Sequence, residues 1–229
     1  MLSVESLHVT IQSVQALRGF SLAAETGSLV GVVGRNGAGK TTLLRTIMGH
    51  LKPASGSVSW EGKNLADVPR HGRAAMGIGY MPEDRGLVPE LTVEENILVP
   101  VWVSRRLKAE DRLGMVYEVL PELKEMRDRK ALLLSGGQQK LVALARALAV
   151  GTRLLLLDEP FEGVAPVLSQ RLSEVIFGLR GKDLSVVIAQ SELNRAASML
   201  DREIVIERGA NAFRSAAAGS GRPYGPPAS

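Results

Sequence analysis

Residues 28–50 read SLVGVVGRNGAGKTTLLRTIMGH. The apolar run SLVGVV has the texture of a buried strand, and Leu43, Leu44, Ile47 and Met48 recur at helical spacing after the glycine-rich segment. Between them, Gly34 to Thr41 (GRNGAGKT) fits the pattern G-x-x-x-x-G-K-[ST]. Glycines at these places let consecutive backbone N–H groups turn inward around a polyphosphate at a helix N-terminus. The cradle comprises Gly34, Arg35, Asn36, Gly37, Ala38 and Gly39, with Thr42 following it. Lys40 is placed to reach the β and γ phosphates and Thr41 to ligate Mg²⁺. An ordinary glycine-rich turn is the plain alternative, but the strand before and the helix after argue against it.

Working outward, RLLLLDEP (153–160) and LSVVIAQ (184–190) are again buried-strand runs, separated by an amphipathic segment carrying Leu168, Leu172, Val175, Ile176 and Leu179. Strands alternating with helices predict an α/β fold with a mainly parallel sheet. Such sheets bind ligands at the C-terminal ends of their strands, where Asp158 sits as a candidate for the Mg²⁺ shell. Glu159 beside it is placed to accept a proton from an attacking water or to orient it. The N-terminal stretch alternates through Leu2, Val4, Leu7 and Val9, SGSVSWEGKNL (55–65) predicts a hairpin turning at Glu61 and Gly62, and IGYM (78–81) predicts a further strand. Thr92 and Glu95 fit a capping box, and residues 110–150 read as helical apart from Pro121 and the SGG at 135–137. The division expected is an α/β core of 1–83 and 151–215, a helical insertion at 84–150, and a loose Pro/Gly-rich tail at 216–229.

LSGGQ (134–138) precedes an apolar helix face formed by Leu141, Leu144, Ala145 and Leu148. Ser135, Gly136, Gly137 and Gln138 are therefore placed to offer N–H groups and a hydroxyl to an anion. Composition narrows the possibilities. With 28 Lys and Arg against 24 Asp and Glu, and 4% aromatic residues, the chain has neither the basic field nor the stacking platform of a nucleic-acid binder. Zero cysteines exclude disulfides and thiolate chemistry. No apolar run reaches the roughly 20 residues of a membrane-spanning helix, and no export signal is expected. His8, His50 and His71 lack metal-ligand spacing and read as surface or strand residues. The charged run ELKEMRDRK (122–130) reads as a solvated helix face, and Trp60 and Trp102 as packing residues.

The three motifs at 34–41, 134–138 and 154–160, in that order, resemble those of the ATP-binding cassette (ABC) ATPases over about residues 2–208. Within that family, QALRGFSL (15–22), GRNGAGKTTLLRTIMG (34–49), PEDRGLVPELTVEENI (82–97) and DEPFEGVAP (158–166) are similar to the LivF-type ATPases of branched-chain amino-acid uptake. The resemblance implies a P-loop NTPase (RecA-like) core with a small antiparallel β subdomain and an inserted helical subdomain. It also implies ATP and Mg²⁺ held between two cassettes, each site completed by the other subunit's LSGGQ. Two integral-membrane permease subunits, a second ATPase (identical or related) and, indirectly, a solute receptor would complete the assembly at the cytoplasmic face of the inner membrane; no nucleic acid is expected.

Glu83 stands where most cassettes place a glutamine at the Mg²⁺ shell, and Gln190 where most place a switch histidine; both follow the LivF-type pattern. A neutral amide at 190 can hydrogen-bond a γ phosphate but cannot titrate near neutral pH. Two positions depart from the family. Ile11 occupies the place of an adenine-stacking aromatic, which should weaken base grip by about 1 kcal/mol, and Phe161 replaces the usual serine after Pro160. The insertion containing Trp102 borders, in this family, the groove for a permease coupling helix.

Three functions are compatible with these residues. The first is the ATPase of an importer of branched-chain or related hydrophobic amino acids, with urea, short amides or aromatic compounds open as substrates. The second is a soluble cassette acting on nucleic acid, which the single cassette and absence of a long coiled-coil insertion disfavour. The third is a cassette that binds nucleotide but scarcely hydrolyses it, which the presence of Lys40, Thr41, Ser135, Asp158 and Glu159 disfavours.

Overall fold

The computed structural model describes residues 1–104, 106–180, 183–192 and 200–212. The expected core boundary at 215 and the tail at 216–229 lie outside these residues.

Two sheets organise the chain. β1 (Leu2–Ile11), β2 (Val14–Ala24), β4 (Ser55–Trp60) and β5 (Lys63–Asn64) form an antiparallel sheet in the order β2-β1-β4-β5. The second is the main sheet. It comprises β3 (Leu29–Val33), β6 (Ile78–Met81), β7 (Leu154–Asp158), β8 (Ser185–Gln190), β9 (Arg202–Glu207) and β10 (Ala210–Ala212), in the order β10-β9-β3-β8-β7-β6. All its pairings are parallel except β10 on β9. The uneven spacing of Leu2, Val4, Leu7 and Val9 is reconciled with one buried face by a bulge at Ser6, where φ is 44° and the register shifts. Glu61 and Gly62 both have positive φ, as the predicted tight hairpin turn requires.

Alternation in the buried strands feeds two cores. Leu155, Leu157, Val186 and Ile188 pack toward the helices, whereas Leu154, Leu156, Val187 and Ala189 pack toward the antiparallel sheet and α1 (Lys40–Ile47). The helical side is built from α2 (Val93–Trp102), α3 (Ala109–Val119), α4 (Pro121–Glu125), α5 (Gly136–Val150) and α6 (Pro166–Phe177). Thr92 and Glu95 make the expected capping box on α2. Asn96, fully buried, fixes the preceding loop by donating to the carbonyls of Val88, Leu91 and Thr92 and accepting from Val88 N–H.

The helical reading of 110–150 needs correction. Pro121 opens α4 instead of merely interrupting a helix, since its missing N–H is unneeded at a first turn. The run 122–130 leaves helix after Glu125, because the chain turns to join the start of α2: Val93 N–H donates to Arg129 O, and Thr92 bridges Lys130. Leu179 likewise lies past the end of α6, although it is buried. Trp60 is a core residue, but Trp102 is 57% exposed beside Val103 at 73%, so Trp102 is not a packing residue.

Candidate nucleotide site

The strand order places three C-terminal ends side by side. Val33 pairs with Gln190 across β3 and β8, and Asp158 pairs with Ala189 across β7 and β8. The loop leaving β3, the Asp158–Glu159 pair and the residues after Gln190 therefore meet at one edge of the sheet. The loop conformation depends on its glycines. Gly39 has φ 113° where it caps α1, and a Cβ on Gly34 would lie 2.2 Å from Ile206 O.

Lys40 is 5% exposed and lies in the mouth of its own loop. Its Nζ donates to Gly34 O (2.6 Å), Arg35 O (3.1 Å) and Ser191 Oγ (3.3 Å), and stands 3.1 Å from Glu159 Oε1. Thr41 Oγ1 donates to Asp158 Oδ1 at 3.2 Å, and Tyr80 OH donates to Asp158 Oδ2 at 3.4 Å. Burial raises the Asp158 carboxyl to about 6; the hydrogen bond from Thr41 opposes this, and the nearby charges of Glu83 and Glu159 add to it. Burial and Asp158 push the Tyr80 phenol upward, so it remains a donor.

A cleft of about 260 Å³ collects Asn36, Gly37, Gly39, Lys40, Thr41 and Thr42 from the loop and helix, with Glu83, Glu159 and Ala16 completing it. A larger cleft of about 950 Å³ adjoins it, sharing Thr41 and Glu83 and extending to Arg45, His50 and Tyr80. His50 is exposed, as expected of a surface residue, and lies on the wall of this cleft. Its pKa is lowered by burial and by Arg45 and Arg70, and its ring lies 6.4 Å from that of Tyr80.

Among the described residues no three His, Asp or Glu side chains form a metal cage. The donors present are instead the Thr41 hydroxyl and the Asp158 carboxylate in contact, with Glu83 on the shared cleft wall. One or two carboxylates plus a hydroxyl, with substrate phosphates supplying further oxygens, is a set that suits Mg²⁺.

Not every expected residue joins this cluster. Ile11 lies outside both cleft linings, at the β1–β2 hairpin beside the exposed Val14; Ala16 is the β2 residue that reaches the cleft. Ser135 to Gln138 line neither cleft. Ser135 is the N-cap of α5, its Oγ accepting from Gln138 N–H and its N–H donating to Gln138 Oε1 in a capping box. Gln190 Oε1 accepts from Phe161 N–H at 3.4 Å, and Phe161 packs against the helical-side core.

Sequence reasoning missed Ser191, Lys140 and the arginine clamp of the 82–88 loop. Lys140, 3% exposed, donates to Glu159 O at 2.7 Å and to Glu162 O. Arg146 donates to Gly86 O (2.5 Å) and Arg85 O (2.6 Å), and Arg85 reaches Gln139 Oε1 at 2.8 Å. A signal was available: Lys140 shares a helical stripe with Leu144 and Leu148, and a cation on a buried stripe requires carbonyl or carboxylate partners.

The ABC transporter family profile matches residues 17–162. The chain belongs to that family. BraG, a high-affinity branched-chain amino acid transport ATP-binding protein of Pseudomonas aeruginosa, is 36% identical over 209 residues, covering 91% of this chain and 90% of BraG. LptB, the lipopolysaccharide export ATP-binding protein of Haemophilus influenzae, is 31% identical over 211 residues, covering 91% and 88%. The solved ADP conformation of the ATP-binding cassette MJ1267 superposes with a TM-score of 0.77 at 29% identity, covering 93% of this chain and 89% of that one. As an ABC ATPase, the protein uses its P-loop core for nucleotide, and the LivF-type resemblance of its motifs agrees with the match to BraG.

Proposed function

We propose that this ABC ATPase powers uptake of branched-chain or related hydrophobic amino acids through two separate permease subunits, at the cytoplasmic face of the membrane and downstream of a solute receptor. The BraG match supports the amino-acid reading, while the LptB match shows that similar cassettes serve other cargo. Among the described residues no helix is long and apolar enough to cross a membrane, which is why the reading includes partner permeases. The exposed Trp102 and Val103 at the end of α2 supply an apolar surface for them.

The observation that carries the chemical reading is the convergence of Lys40, Thr41, Asp158 and Glu159 at one sheet edge. In this reading the loop amides from Gly34 to Thr42 cradle the phosphates. Lys40 leaves its carbonyl partners for the β and γ oxygens, which carry more charge. Mg²⁺, when bound, would neutralise developing charge on the phosphates, with Thr41 and Asp158 holding it and Glu83 beside it. Glu159 orients the attacking water and takes its proton, and Gln190 turns its amide from Phe161 toward the γ phosphate. Because Ser135 lies outside the clefts of its own chain, a second cassette supplies the Ser135 to Gln138 donors that close the site.

Purification of the full chain in mild detergent tests the transport reading. Two integral-membrane proteins should copurify, and ATP hydrolysis should be stimulated by receptor loaded with a branched-chain amino acid. Stimulation by a urea- or amide-loaded receptor instead would reassign the cargo, and isolation with no membrane partner would overturn the transport role.

A further inference from the structure

Glu159 is held in an unusual way. Its backbone adopts φ 48°, a left-handed conformation that a glutamate rarely takes, and its N–H and C=O are tied to Ala189 O and Lys140 Nζ. Its carboxylate receives two donors from one residue: Ser191 Oγ lies 2.6 Å from Oε1 and Ser191 N lies 3.1 Å from Oε2. The remaining partner of Oε1 is Lys40 at 3.1 Å.

Ser191 Oγ also lies 2.6 Å from Asn36 Oδ1 and 3.3 Å from Lys40 Nζ. A serine hydroxyl has one proton, so it cannot serve both Glu159 and Asn36 as acceptors. Turning the Asn36 amide end for end resolves this: Asn36 and Lys40 then donate to Ser191 Oγ, and the hydroxyl proton goes to Glu159. The network satisfies every member in only that polarity, because an ionised carboxylate has no proton to give.

We propose that Ser191 is a positioning residue, which holds the Glu159 carboxylate in its working orientation once Lys40 has left it for the nucleotide. The inference rests on the reading of Glu159 as the residue that orients the water. Lys40 faces four acceptors with three protons, and an arriving polyphosphate, which carries more charge than one carboxylate or a carbonyl, draws it from Glu159 as well as from Gly34 O and Arg35 O. Without the Ser191 hydroxyl, Oε1 then loses both its partners, and the Ser191 N–H on Oε2 alone leaves the carboxylate able to turn about that one bond. The contact to Asn36 ties this hydroxyl to the phosphate loop itself, so the base and the cradle are set by one side chain.

The test uses the complex purified through a tag on the full chain, with kcat and KM for MgATP measured on wild type, Ser191→Ala and Ser191→Thr. Ser191→Ala should lower kcat by about 10- to 100-fold, the range expected for losing one hydrogen bond to a charged group, with KM changed less than about 2-fold. Ser191→Thr, which keeps the hydroxyl, should restore most of the rate. Ser191 is half-buried, and should the alanine variant fail to assemble, Ser191→Cys keeps the volume with a weak donor and should show the same loss of kcat. Unchanged kcat, a rise in KM alone, or no rescue by threonine would overturn the positioning role while wild type still hydrolyses ATP. A wild-type complex that releases no phosphate from MgATP would instead overturn the hydrolytic reading beneath it.

Discussion

Replacing Lys140 with methionine isolates a contact through which helix α5 supports the loop after β7 that carries Glu159. Lys140 is 3% exposed and its ammonium donates to Glu159 O at 2.7 Å and to Glu162 O, so the variant leaves Glu162 O without this donor and Glu159 O with only the Glu162 N–H at 3.2 Å. Hydrogen bonds from a charged donor contribute about 1.5–3 kcal/mol each. Burial opposes this, as it lowers the Lys140 pKa despite the nearby Glu162 and Glu159 charges. Lys140 also lines the larger cleft, so water can reach the freed carbonyls. The net loss should be about 2 kcal/mol, which for a chain of this size lowers Tm by about 4–8 °C. Since Glu159 is held at a positive φ by these ties, its carboxylate should also shift, and kcat should fall by about 10- to 100-fold. Differential scanning fluorimetry and phosphate release on the same preparation read both quantities. A variant melting within about 1 °C of wild type and hydrolysing within about 2-fold would refute the idea that Lys140 holds the loop.

A Cβ on Gly79 would lie 2.1 Å from Ala147 O and 2.9 Å from Gly151 Cα, both backbone, so Gly79→Ala should force β6 from α5 and cost about 1–3 kcal/mol in denaturant unfolding. By contrast Gly114→Ala, inside α3 with open space around it, should stabilise by about 0.5–1 kcal/mol. Gln190→His should add a limb near pH 6.5 to the pH profile of hydrolysis, about the ordinary imidazole value, and an unchanged profile would remove residue 190 from the γ-phosphate environment. Burial raises the Glu122 carboxyl, but the hydrogen bonds from Arg171 at 3.0 and 3.3 Å, a hydrogen bond from its own backbone N–H and the Arg171 charge together outweigh it and leave the pKa below the ordinary value. A depressed carboxylate adds stability above its unfolded pKa that is lost as pH falls through the folded one. Glu122→Gln should therefore lower the free energy of unfolding slightly at pH 7, by less than about 1 kcal/mol given the pair's exposure, and the gap should close well below pH 4.3, about the ordinary glutamate value.

The stretch 28–50 carried most of what was legible, because a P-loop must be a strand, a loop and a helix in immediate succession, and sequence adjacency encodes all of it. Asp158 and Glu159 were legible for a related reason: a run of four leucines admits little but a buried parallel strand, and its end defines the binding edge. Local signals also found the Thr92–Glu95 capping box and the Glu61–Gly62 turn. What escaped depends on groups far apart in the chain. Lys140 and Glu159 are 19 residues apart and Ser191 and Glu159 are 32 apart, and no periodicity announces a side chain reaching a backbone carbonyl in another element. Residues 126–130 were misread because their charges suit a helix surface, while the turn is imposed by backbone bonds to Val93 and Glu94. Ile11, at the place of the family's aromatic, lies outside the cleft, and the β2 residue on the cleft wall is Ala16, further along the same hairpin.

The central claim is that the loop from Gly34 grips the phosphates of ATP and that a neighbouring cassette closes the site through Ser135. A crystal structure of the Glu159→Gln protein with ATP and Mg²⁺ tests it directly, because blocking hydrolysis traps the closed form. The phosphates should lie against the backbone N–H groups of residues 34–42, with Lys40 moved off Gly34 O and a Ser135 hydroxyl from a second cassette at the γ phosphate. A vacant loop, or ATP bound there with no second cassette's LSGGQ segment in contact, would contradict the account.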